Sequence, residues 1–158
     1  VEMARQQGGD IRRTKTAPWA MMQTFLEEDV RASQQRCPQF LLYSDALAVL
    51  ASLAEFLARR GKPLSEVLAE LPGFVTARRD VEVNWDDKGK VLRHLAEDSG
   101  EQKIETAEGI KIQHPQGWAL VLPDADEPVC RVYSEAFNQE VAESLTDMYV
   151  EKIQKILK

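Results

Sequence analysis

Pro72-Gly73 divides this chain into two textures, and that division constrains its folding more than any other feature of the sequence. Before it, apolar residues recur at helical spacing. Leu47, Leu50, Ala51, Ala54 and Leu57 follow i, i+3, i+4, i+7 and predict a helix over 44–60 with a buried stripe. Val49, Leu53 and Phe56 widen the stripe, so this helix is expected to be covered on more than one side. Gly61 ends it, and Pro63-Leu64-Ser65-Glu66 opens a short helix to about Leu71. Beyond Gly73 the period changes to two: Val81, Val83 and Trp85 alternate with Glu82 and Asn84, as in a half-buried strand.

The remaining segments follow from the same rules. Residues 1–7 read as the end of a helix stopped by Gly8-Gly9, 10–15 as a short strand, and 19–28 as a helix with Thr16 as cap and Pro18 in its first turn. Residues 31–38 lack periodicity and read as loop. Phe40 to Tyr43 is a strand or a lead into the next helix. Downstream, Asp86 or Asp87 caps a helix to about Glu97 with Val91, Leu92 and Leu95 inside. Lys103–Thr106 and Gly109–His114 read as strands, and Pro115-Gln116-Gly117 as a tight turn. Trp118–Leu122 is continuously apolar, the signature of a central strand, and Trp118 and Leu120 are expected to be buried with Val132. Pro123 to Pro128 is an acidic loop, with Asp124 and Asp126 expected to be exposed. Val129–Ala136 is a strand, and Asn138 caps a last helix to about Leu157 with Val141, Leu145, Met148 and Ile153 inward. Two units result: residues 1–72, mostly helical with little strand and so a partial domain, and residues 73–158, an α+β domain with an antiparallel sheet and helices on one face.

With 44% hydrophobic and 29% charged residues the chain has material for a real core. A net charge of −6 without a basic block excludes a nucleic-acid partner. The longest apolar stretches are too short to span a membrane, and no signal peptide is visible. Cys37 and Cys130 show no CxxC spacing and read as reduced thiols, which places the chain in the cytoplasm. A start at Val1, within helical text, suggests an excised fragment. His94 and His114 lack triad or metal-ligand spacing and read as surface histidines. Trp85 and Trp118 read as core aromatics. Asp124, Asp126 and Glu127 are oxygen donors, but without an EF-hand spacing they read as a solvated loop rather than a cation site.

Several ordered fragments resemble a known family. Glu108-Gly109-Ile110-Lys111, Trp118-Ala119-Leu120-Val121, Pro123 to Pro128 and Arg131-Val132-Tyr133 are similar to the last domain of the α-D-phosphohexomutases, which includes phosphoglucomutase, phosphomannomutase and phosphoglucosamine mutase. That domain reads Glu-Gly-Val-Lys, Gly-Trp with an apolar strand, Arg-Pro-Ser-Gly-Thr-Glu-Pro, then Arg-Val-Tyr. Arg13-Thr14-Lys15, Asp45-Ala46-Leu47 and Gly61-Lys62-Pro63-Leu64-Ser65-Glu66 resemble the family's third domain, which implies that residues 1–72 are part of an α/β domain. The resemblance implies a C-terminal portion of a parent that moves phosphate between two positions of a hexose, with a phosphoserine and a Mg2+-binding Asp-Gly-Asp loop in earlier domains. Neither motif occurs here, so no catalytic or metal residue and no cofactor is assigned to this chain.

The resemblance also implies a phosphate loop at Leu122, Pro123, Asp124, Ala125, Asp126, Glu127 and Pro128, with Arg131 beside it. At this loop the family pattern is broken: Leu122 stands at the Arg position, Asp124 at Ser, Ala125 at Gly and Asp126 at Thr. Ionised carboxylates accept hydrogen bonds but cannot donate them to a phosphate. The sugar-binding Gly-Glu-x-Ser-Gly-His is missing from the region Gln34 to Phe40, and Ala17-Pro18 replaces the Gly-His after Arg-Thr-Lys. The implied partners are upstream domains of the same parent and, at most weakly, a hexose phosphate. The alternative parent is a bacterial sugar-phosphate nucleotidyltransferase carrying a degenerate mutase-like region for assembly or regulation.

Overall fold

The computed structural model describes residues 8–9, 11–31, 38–71 and 73–158, with side chains from 8–9, 11–27, 40–71 and 73–158. The chain divides into two compact units, Val1–Pro72 and Gly73–Lys158. The expected helix end over 1–7, Asp10, most of the 31–38 loop and Cys37 lie outside the described residues.

The first unit contains helices α1 (Pro18–Arg31), α2 (Pro38–Ser44), α3 (Ala46–Arg60) and α4 (Leu64–Ala69). Residues 11–15 have no regular structure, which corrects the expected strand there. Phe40 to Tyr43 belongs to a helix, and Phe25 packs against Phe40 and Tyr43 at centroid distances of 6.1 and 5.8 Å. Asp45 caps α3, its Oδ1 accepting from Leu47 N and Ala48 N, and Gly61 closes it at φ 63°. The expected burial of α3 is not observed: none of its residues is buried, and Leu47 is 77% exposed. An apolar helix stripe needs a second layer, and the described residues of this unit contain no strand to provide one.

The second unit is a five-stranded antiparallel sheet with two helices. Its elements are β1 (Val75–Glu82), α5 (Trp85–Asp98), β2 (Ile104–Glu105), β3 (Ile110–His114), β4 (Gly117–Pro123), β5 (Val129–Ala136) and α6 (Gln139–Leu157), in the spatial order β1-β5-β4-β3-β2. The register aligns Val75 with Ala136, Ala119 with Ser134 and Ile112 with Ala119. The alternation of β5 sends Cys130, Val132, Ser134 and Ala136 inward. They meet Ala142, Thr146, Tyr149 and Ile153 of α6, while Val91 and Leu95 of α5 complete the core. Ser134 Oγ donates to Ala142 O at 2.6 Å and shares a 2.6 Å bond with Thr146 Oγ1, so neither buried hydroxyl is left without a partner.

Several inward faces differ from expectation. On β4 it is Ala119 and Val121 that are buried, whereas Trp118 and Leu120 lie half-buried on the face away from the helices. An all-apolar strand carries no alternation to mark its inner side. On α6, Ala142, Thr146 and Tyr149 are buried at the centre of the interface beside Ile153, whereas Val141 and Met148 pack at its margin and Leu145 is half-buried; Ala142 meets Ala77 and Ala136, where small residues let the helix approach β1 and β5. Trp85 begins α5, 53% exposed, and Asn84 rather than Asp86 or Asp87 occupies the cap position. The motif glycines have steric reasons. Gly109 has φ 66° and its missing Cβ would strike Val121 O, while a Cβ on Gly117 would strike Glu135 O. Among the described residues no helix is long and apolar enough to cross a membrane.

Candidate functional site: the β4–β5 loop

The loop from Asp124 to Pro128 joins two central strands, so its ends are fixed by the sheet: Pro123 pairs with Cys130 and Leu122 with Arg131. Asp124 N donates to Val129 O at 3.0 Å, and Val129 N to Glu127 O at 2.8 Å. Pro128 O accepts from Val83 N at 2.8 Å, tying the loop to the segment that follows β1.

Asp124 organises the turn. Its Oδ1 accepts from Asp126 N at 2.9 Å and from Glu127 N at 2.8 Å, and its Oδ2 lies 2.7 Å from Arg131 Nη2. The same guanidinium reaches Glu127 Oε2 at 2.9 Å. The Asp126 amide above all, then the Glu127 amide and the Arg131 and Lys88 charges, hold the Asp124 carboxyl below its ordinary range against the opposing effect of desolvation. Asp124 is therefore half-buried and not fully exposed as expected, while Ala125, Asp126, Glu127 and Pro128 are exposed. Arg131 occupies the cross-strand position beside Leu122, so a guanidinium is present where Leu122 offers none, but it is committed to two carboxylates.

One residue here has no mark in the sequence. Lys88, on the first turns of α5, is 8% exposed, and its Nζ donates to Asp124 O at 2.6 Å and to Glu127 O. The Trp85 ring centroid lies 3.6 Å from the ammonium. A lysine inside Trp-Asp-Asp-Lys-Gly-Lys reads like any solvated helix residue.

The two histidines, read from the sequence as surface residues outside any site, make their contacts elsewhere. His114 is half-buried rather than on the surface, with Nε2 2.9 Å from the Tyr149 hydroxyl, and His94 faces Glu97 at 3.8 Å on an exposed helix side. Burial holds the Cys130 thiol above its ordinary range, and so neutral. Among the described residues no group of three or more His, Cys, Asp or Glu side chains could hold a metal ion. The Mg2+ implied by the resemblance therefore finds no ligand set among them.

No protein-family model matches the chain. A phosphoglucomutase/phosphomannomutase of Thermococcus kodakarensis is 30% identical over 99% of this chain and 36% of its own length. A probable phosphoglucosamine mutase of Methanopyrus kandleri is 29% identical over 98% of the chain and 36% of its own length. A solved phosphoglucomutase/phosphomannomutase family protein from Burkholderia thailandensis superposes with a TM-score of 0.57 at 26% identity, covering 71% of this chain and 24% of that one. The chain thus spans about a third of the length of the curated relatives it matches. From this similarity along nearly its whole length, and from the shared mixed α/β fold, the chain belongs to the phosphohexomutase family and fits the C-terminal portion of its members.

Proposed function

We propose that this chain is a mutase-type C-terminal portion whose phosphate loop is filled by its own carboxylate, so that the fragment alone neither transfers phosphate nor grips a hexose phosphate. The observation that carries this reading is the bonding of Asp124: two loop amides and the Arg131 guanidinium, the donors an oxyanion would use, all point at its carboxylate. An incoming phosphate would have to displace that carboxylate and then sit beside Asp124, Asp126 and Glu127. A loop closed in this way also suits a mutase-like region kept for assembly or regulation beside a sugar-phosphate nucleotidyltransferase. In both versions its partners are the other domains of its parent.

The test titrates the native chain and the variant Leu122→Arg, Asp124→Ser, Ala125→Gly, Asp126→Thr with inorganic phosphate, glucose 1-phosphate and mannose 1-phosphate. Low ionic strength keeps charge effects visible. The native chain is expected to bind more weakly than about 1 mM, or about −4 kcal/mol, and the variant to gain affinity. Micromolar binding by the native loop would sink the proposal.

A further inference from the structure

Lys88 is the buried cation that the proposed loop chemistry does not use. Among described residues the ammonium has no carboxylate within ion-pair distance, yet it is almost wholly enclosed. Enclosing a charge is expensive unless polar groups replace its water, and here the carbonyls of Asp124 and Glu127 and the face of Trp85 do so. The two carbonyls bracket the turn. In a trans peptide the C=O and the N–H point in opposite directions, and no cis bond occurs among the described residues. Pulling the Asp124 carbonyl toward α5 therefore turns the Ala125 N–H away from the helix and toward the loop's outer side. Glu127 precedes Pro128, so its carbonyl belongs to a peptide that has no N–H to orient and can only be anchored.

We infer that Lys88 is the positioning residue of the 124–128 loop, gripping its backbone from beneath so that the loop amides stay aimed at one point whatever side chains the loop carries. Because the grip falls on main-chain carbonyls, it is independent of Asp124, Ala125 and Asp126 as residue types. It acts on the donor array, not on a ligand. Reading that array as a phosphate subsite rests on the proposal above, but the mechanical role of Lys88 does not.

Amide exchange by NMR tests the role in the native chain. Lys88→Met is expected to speed exchange at Asp126 and Glu127 about tenfold while the strand amides of Ile112 and Val132 hold their rates, since local opening is separable from global unfolding. Equal acceleration at loop and strand, or none at the loop, overturns the inference. If Lys88→Met fails to fold, Trp85→Leu changes only a half-exposed ring. It is expected to speed the same two amides about threefold, and unchanged rates there overturn the inference. A second arm adds Lys88→Met to the four-residue loop variant. Phosphate affinity is expected to fall about tenfold, and an unchanged affinity counts against Lys88. A four-residue variant that binds no phosphate overturns the phosphate-loop reading alone, leaving Lys88 to be decided by the exchange rates.

Discussion

His114 sits at the end of β3 with its ring against Tyr149, at a centroid distance of 5.7 Å. Burial first, then the charge of Lys152, disfavours the imidazolium and lowers its pKa. The folded chain therefore binds this proton less readily than the unfolded chain. The associated stability is fully present above the ordinary histidine value near 6.5 and is lost as pH falls through the window beneath it. Urea midpoints should decline from pH 7.5 to pH ~5.5, and His114→Gln should flatten that decline; an equal slope in both proteins would refute it. A second residue-scale prediction contrasts the faces of the sheet. Ile112→Ala, at a position 1% exposed, should cost about 2–5 kcal/mol. Leu120→Ala, on the open face, should cost about 1 kcal/mol or less, both read from urea unfolding. Single residues were the least legible part of the sequence. Leu120 and Val121 are neighbours of like chemistry, and only the register with β5 decides which of them meets a helix. The loop could be located from Pro123 and Glu127-Pro128. That Asp124 would satisfy the loop's own amides depends on backbone angles that no residue type specifies.

At the scale of elements, caps and periods carry more information. Asn138 caps α6, its Oδ1 accepting from Val141 N at 2.8 Å. Asn138→Ala should therefore lower stability by about 1 kcal/mol, with the loss appearing as a shifted urea midpoint at unchanged m-value. A loss near zero would mean that water replaces the cap. This strand–cap–helix sequence is readable because each signal is local: β5 alternates strictly and Asn138 follows it by two residues. The Pro115-Gln116 turn and the Gly61 end of α3 are readable for the same reason, whereas the Asp45 cap is not, the helix being expected to begin at Ser44. Which stripe of α6 faces the sheet is not a local matter. Thr146 takes a central place because Ser134, on another element, supplies its hydroxyl partner. Local patterns likewise suggest a strand over 10–15, but a strand exists only where another strand pairs with it, and residues 11–15 have no regular structure.

At the scale of the whole molecule, residues 73–158 hold a complete core of their own, from Val81 and Val91 to Ile153. Expressed alone, this unit should unfold in one cooperative urea transition; a broad, non-cooperative loss of signal would show that it depends on residues 1–72. The family was legible at this scale because ordered fragments add up along the chain even when each is weak. The strand order has a further consequence for the chain during its synthesis. β1 is the first strand of its unit to leave the ribosome, and its sheet partner β5 is the last. At roughly 5–20 residues per second, β1 waits several seconds with its hydrogen-bonding edge open before Ala136 emerges to meet Val75. During that interval its strand neighbours would be other nascent chains on the same message. The charged run Arg78-Arg79-Asp80 in the middle of β1 opposes such pairing, so the strand carries its own protection for the time it must wait.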